Sequence, residues 1–143
     1  MKRSIKFLVM IIALVNFNPI AHYAQSNDDN GVKSAIKNLF EYSKSKAYDK
    51  AGKIIAYEGE DKDRVHKDSF NTENKEELNQ VKRICKKITA LLELSSKYEF
   101  GEISSPSKNV YSMQVTFVSG EQKLVTSFIL EKTEKGFLLI SMN

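Results

Sequence analysis

The sequence predicts an α+β domain: three helices packed on a curved antiparallel sheet of about four strands, behind an export signal. Three observations carry this. Apolar residues recur at helical spacing as far as Leu92, the period drops to two from Lys97 onward, and a short basic-then-apolar stretch precedes both.

That leading stretch comes first in order. Lys2, Arg3 and Lys6 precede the apolar run Phe7 to Phe17, and no acidic residue appears before Asp28. The run is eleven residues long, whereas crossing a hydrocarbon core takes about 20. Asn16, Asn18 and Pro19 then continue an apolar helix poorly. A secretory signal over residues 1–26 is the expectation, with residues 27–143 as a single domain. Two cuts are compatible with it. Cleavage after Ala24 places His22 at the −3 position, which favours a small residue; cleavage after Ser26 places Ala24 there and fits better. No cysteine follows the apolar run, so a lipoprotein route is not expected, nor is a stable membrane anchor once the signal is gone. The expected location is the periplasm or the exterior.

Removing residues 1–26 takes away three basic residues and no acidic ones, leaving 19 basic against 18 acidic. So balanced a chain has no broad field to attract nucleic acid, and no nucleic-acid partner is expected. The remaining 117 residues suffice for one core. Cys85 is the sole cysteine, so no internal disulfide forms and stability rests on packing. A disulfide-free exported domain suits a bacterial envelope better than a cysteine-dense extracellular module.

The first helix is read from Val32, Ile36, Leu39 and Phe40, which form one apolar stripe, with Asp28, Asp29 and Asn30 as caps at its start. A short second helix follows "KAYDK", with Ala47, Ala51, Ile54 and Ile55 on one face and Gly52 weakening it. Glu58 to Asn74 has little apolar content and reads as a long exposed connection with room for one short strand or turn. The third helix runs from about Asn74 to Ser95. Asn74 and Glu77 have the spacing of a capping box. Leu78, Val81, Ile84, Cys85, Ile88, Leu91 and Leu92 make its core face, with Lys82, Lys86 and Lys87 opposite.

Strands follow. "KYEFGEI" is the first, ended by "SSPSKN". In "VYSMQVTFV", Tyr111, Met113, Val115 and Phe117 face one way and Ser112, Gln114 and Thr116 the other. "SGEQ" turns into "KLVTSFILEK", and "TEKG" turns into "FLLISMN", which completes a meander. The last two strands carry apolar residues on both faces, so both need cover. A homodimer through the outer sheet face, at Val125, Ile129, Leu138 and Ile140, would supply it, as would an additional helix of the same chain.

The order "SAIKNLF…KAYDKAGKIIAYEG", long helix, C-terminal meander resembles the NTF2-like (cystatin-like) cone fold, and in particular its small exported bacterial members. The resemblance spans nearly all of residues 27–143. It implies a cavity between sheet and helices that serves as an active site, holds a ligand or is filled by side chains. Isomerase and lyase members need a carboxylate base and an oxyanion-binding acid deep in the cone. The inward positions expected here are Tyr98, Phe100, Tyr111, Met113, Val115 and Phe117, with no Asp or Glu among them.

Other chemistries fare no better. A thiol nucleophile needs a base; Cys85 lies on an apolar stripe, and His66, the one histidine beyond the signal, sits in a charged loop. One Cys and one His do not make a zinc site. Asp61, Asp63 and Asp68 are interleaved with Lys62, Arg64 and Lys67, and Val65 and His66 stand where a calcium loop needs a glycine and a ligand. No phosphate-cradling glycine loop and no nucleophile elbow occurs. No cofactor or metal is expected. Tyr57 and Arg64 could hold an anion at a cavity mouth, although the loop is full of carboxylates to pair with Arg64. The expected function is therefore a non-enzymatic binding module that holds a small or peptide-like ligand in the cone, at Tyr57, Arg64, Tyr98, Tyr111 and Met113. The alternative is a module for protein contacts in the envelope, with a filled cone.

Overall fold

The computed structural model describes residues 19–59 and 68–143, with side chains from Asn27 onward. Helix α1 spans Pro19–Lys44, α2 Tyr48–Gly52 and α3 Lys75–Glu93. Strands β1 (Lys97–Ser107), β2 (Val110–Ser119), β3 (Gln122–Thr133) and β4 (Gly136–Met142) form one antiparallel sheet in chain order. The helices cover one face of that sheet. This is the α+β architecture that the change of period predicts.

The apolar stripe of α1 is buried as expected, at Val32, Ile36, Leu39 and Phe40. Its start is not where the caps suggested. Asp28, Asp29 and Asn30 lie inside the helix, which begins at Pro19, and Asp28 is bonded to partners on the sheet. The helix stops at a Schellman turn: Ala47 N–H bonds to Tyr42 C=O at 2.9 Å and Lys46 N–H to Ser43 C=O at 3.3 Å, with Lys46 in the left-handed region at φ 58°.

The second helix is one turn, and Ile54 and Ile55 lie beyond it. Instead of completing a helical face, Ile55 pairs in parallel with Leu139 of β4. Gly52 is buried, and a Cβ there would sit 2.6 Å from Thr72 Cγ2. Close approach of the loop explains this glycine better than tolerance does.

For α3 the N-terminus is as the sequence suggests. Asn74 accepts from Glu76 N–H at 2.9 Å and Glu77 N–H at 3.3 Å. Glu77 departs from a simple capping box: its buried carboxylate accepts from Asn71 N–H at 2.6 Å, which pins the incoming loop. Lys82 is half-buried rather than fully in water, its ammonium 5.7 Å from the Tyr48 ring centre.

The β1 strand runs past its expected end through Pro106, with register shifts between Phe100 and Ile103 and between Ser104 and Ser107. A proline is tolerated there because β1 is an edge strand. The turns use left-handed backbone at Asn109 (φ 62°), Gly120 (φ 60°) and Gly136 (φ 119°). Register places Met113 opposite Phe128 and Tyr111 opposite Leu130 on the helix-facing side.

The cover demanded by β4 comes from the chain itself. Leu139 N–H donates to Ile54 C=O at 2.9 Å, and Ala56 N–H to Leu139 C=O at 2.8 Å. Ala56 in turn bridges Ser69, and Phe70 is buried behind them. Part of the expected exposed connection thus caps the sheet edge. The residues expected to share an outer dimer face are consequently split. Val125 stays open, Ile129 is half-buried, and Leu138 is buried beside Tyr57 and Asp68. Ile140 sits at the irregularity in the β3–β4 register and lines a cleft at the sheet edge.

Candidate functional site

The space between sheet and helices is filled. Ile36, Leu39, Ile88, Val115, Phe128 and Leu130 are almost fully buried there, and Met113 is 1% exposed. Phe40 is the hub of an aromatic cluster. Its ring lies 5.1 Å from Tyr98, 5.5 Å from Phe128, 6.0 Å from Phe117 and 6.3 Å from Phe100. Close packing of this kind leaves Met113 no surface to offer a ligand, so the expectation of a cavity lined by it is corrected here.

Tyr111 lies at the other end of the same face, and it is occupied too. Its hydroxyl donates to Asp28 Oδ2 at 2.6 Å, and Lys132 Nζ donates to Asp28 Oδ1 at 2.5 Å. The Tyr111 ring packs edge-on against Phe137 at 5.5 Å. The sequence showed no acid beside Tyr111, yet α1 brings one. The Lys132 ammonium, and next the Tyr111 hydroxyl, hold the Asp28 carboxyl below its ordinary value. Bonding to that carboxylate pushes the Tyr111 hydroxyl above its own ordinary value. A general base works best with a pKa near the working pH, and this pair is tuned the opposite way. It fastens α1 to the sheet. A signal for it existed in the sequence: Asp28 stands four residues before Val32, on the buried stripe of the helix.

Surface clefts surround the filled interior. One, about 380 Å³, opens between α3 and the edge of β4. Ile55, Phe70, Ile84, Leu139 and Met142 contribute its apolar floor. Tyr57, Glu58, Gln80, Lys87 and Ser141 contribute polar groups. A broader groove of about 1020 Å³ lies where the C-terminal ends of α1 and α3 meet β1, with Tyr98, Lys37, Lys44 and Lys97 around it. A third, of about 660 Å³, lies at the β2–β3 turn, where Leu94 (75% exposed) and Leu124 (54%) flank Phe117.

The expected site residues are therefore scattered. Tyr57 lines the α3–β4 cleft, and Tyr98, 39% exposed, lines the groove at the opposite end of the interior. Tyr111 and Met113 are packed inside, and Arg64 lies outside the described residues, as do Asp61, Asp63 and His66. Sequence reasoning missed Ile84, Lys87 and Met142 as cleft residues. Helical and strand periodicity assign a residue to a face but do not say which face is left uncovered at an edge.

Cys85 is buried between α1 and α3, and burial pushes its thiol up. The buried Ser43 hydroxyl beside it makes no hydrogen bond of full geometry, and its weak interaction with the thiol offsets part of that shift. Among the described residues, no three His, Cys, Asp or Glu side chains converge on a possible metal position, and no helix is long and apolar enough to cross a membrane.

No family model and no curated protein matches the chain. Among solved structures, it is similar to a Campylobacter jejuni protein provisionally named an NTF2-like transpeptidase. The identity is 12%, the match covers 76% of this chain and 96% of that one, and the TM-score is 0.48.

Proposed function

We propose that this chain is an exported, non-catalytic binding module whose small or peptide-like ligand sits in the cleft between α3 and β4. The cleft itself carries the reading. At about 380 Å³ it falls within the roughly 300–1,000 Å³ of small-ligand sites, and it pairs an apolar floor with a few polar groups, as such sites do. A filled interior favours this edge over the cone in our reading, and of the residues expected to bind, Tyr57 lines it. Export is supported by the leading signal pattern. The side-chain anchoring of α1 at Asp28 is compatible with it, since a cut after Ala24 or Ser26 leaves Asp28, Tyr111 and Lys132 intact.

The test begins with the protein recovered from the exported fraction of a bacterial host and analysed by native mass spectrometry. The chain mass should correspond to loss of residues 1–24 or 1–26, with an additional releasable mass in some molecules. A fragment screen by NMR should then shift amides of residues 55–59, 80–87 and 139–142, and Ile84→Glu should abolish those shifts while the fold persists by circular dichroism. Shifts confined to other surfaces would overturn the assignment of the cleft. A chain retaining residues 1–18 would overturn the cleaved signal.

A second reading has its own observation. Leu94 and Leu124 are 75% and 54% exposed around the third cleft, which suits a protein contact at the β2–β3 turn. The same mass spectra would report it as a dimer lost in Leu124→Lys.

A further inference from the structure

Resting on the cleft reading and deepening it, we propose that the ligand is an extended peptide that adds as a strand to the part of the β4 edge left unpaired among the described residues, with one of its carboxylates set against Lys87. The main chain supplies the first argument. Ser127 and Asn143 exchange both backbone hydrogen bonds, at 2.8 and 3.0 Å, and the next pair in the register is Phe128 with Met142. In an antiparallel ladder such pairs alternate, so the N–H and C=O of Met142 point away from β3, out of the sheet edge. That edge is where the cleft opens, with Ile140, Ser141 and Met142 on its wall.

The second argument is that this edge already accepts a parallel segment three residues earlier, at Leu139, before the irregularity at Ile140. Leu139, whose own N–H and C=O point the same way, bonds to Ile54 and Ala56. Tyr57 N–H, on the other side of this segment, donates to Asp68 C=O at 3.2 Å, and among the described residues no backbone hydrogen bond continues the pairing with β4 past Ala56. Beyond Ala56 the two walls separate, and the gap between them is the cleft. An incoming strand would pair afresh at Met142, past the irregularity at Ile140, and alternate side chains would drop toward Ile84 and Phe70 on the floor.

Charge selects among peptides. Lys87 stands on the α3 wall with no ion pair among the described residues, while Glu58 stands on the opposite wall, shared with the neighbouring groove of Asp68 and Glu131. A peptide lying along β4 meets a cation on its helix side. An acidic side chain there gains what a basic one loses.

The experiment uses synthetic hexapeptides of alternating Val and Thr carrying a central Glu or Lys, with and without N-methylation at alternate residues, titrated into the exported protein. The Glu peptide should bind about tenfold tighter than the Lys peptide, and Lys87→Ala should erase that difference. N-methylation in one register should weaken binding about tenfold or more, and in the other register leave it unchanged, since lost main-chain hydrogen bonds are costly. The Met142 amide should become protected from hydrogen exchange. Peptides that bind the cleft indifferently to N-methylation in both registers would overturn strand addition and leave the binding module standing. So would small fragments that bind where no peptide does. Met142 protection that rises with protein concentration alone would assign the edge to a second copy of this chain. If neither peptides nor fragments perturb the cleft, both readings fall.

Discussion

The hydroxyl of Tyr111 on β2 donates to the carboxylate of Asp28 on α1 across 2.6 Å, and Lys132 on β3 closes on the other oxygen. One side chain near the start of α1 is thus tied to two neighbouring strands. The Asp28 side chain is 17% exposed, so solvent screens this ion pair only in part.

Asp28→Asn and Tyr111→Phe should each cost about 1 kcal/mol at neutral pH, and a double-mutant cycle should show coupling of similar size. The pH dependence has a definite sign. The folded value of Asp28 lies below 3.8, so its contribution is present above pH 3.8 and is lost as pH falls through the lower folded value. Tyr111 is raised above 10.0, so its share is present below pH 10.0 and disappears as pH rises through the folded value. Urea midpoints of wild type and Asp28→Asn should converge in acid. An equal gap at every pH would refute the linkage.

Gly52→Ala should destabilise the protein, although alanine is the better helix former by up to about 1 kcal/mol. The new Cβ would meet Thr72 Cγ2 at 2.6 Å and Val81 Cγ2 at 3.5 Å. Overpacking of this kind costs about 1–3 kcal/mol. Gly52→Ala combined with Thr72→Ser should recover part of the loss in thermal unfolding. A stabilised single variant would show that the loop yields freely.

Phe128→Ala tests whether the interior is solid. The side chain is fully buried beneath Phe40 and opposite Met113. A loss of about 3–5 kcal/mol is expected from denaturant unfolding, as for other large-to-small core changes. A loss below about 1 kcal/mol would point to a loosely filled cone able to admit a ligand.

Cys85 should be silent to a thiol reagent in the folded protein and react once unfolded, because it is buried and its thiol is pushed up by burial. Ser43→Ala should change stability by no more than about 1 kcal/mol, since the buried hydroxyl it removes has only a weak interaction with the Cys85 thiol. Rapid labelling of the native protein would mean that α1 and α3 separate readily.

Much of this protein was determined by the sequence itself. The stripes Val32 to Phe40 and Val81 to Ile88, the Asn74 cap and the alternation Tyr111 to Phe117 each satisfy a local periodic or hydrogen-bonding requirement, and all appear where expected. Tertiary structure decided what those surfaces meet. Asp28 carries the marks of a cap residue but finds a tyrosine 83 residues away. Ile55 has a helical spacing yet completes a sheet edge with Leu139. Tyr98, Tyr111 and Met113 share a face in the sequence pattern, and the packing of α1 across them distributes one to a rim, one to an anchor and one to the core. The reason is physical: periodicity records which way a side chain points, whereas the cleft beside Met142 exists because a neighbouring segment turns away. That departure is a property of chain path, and only folding sets it.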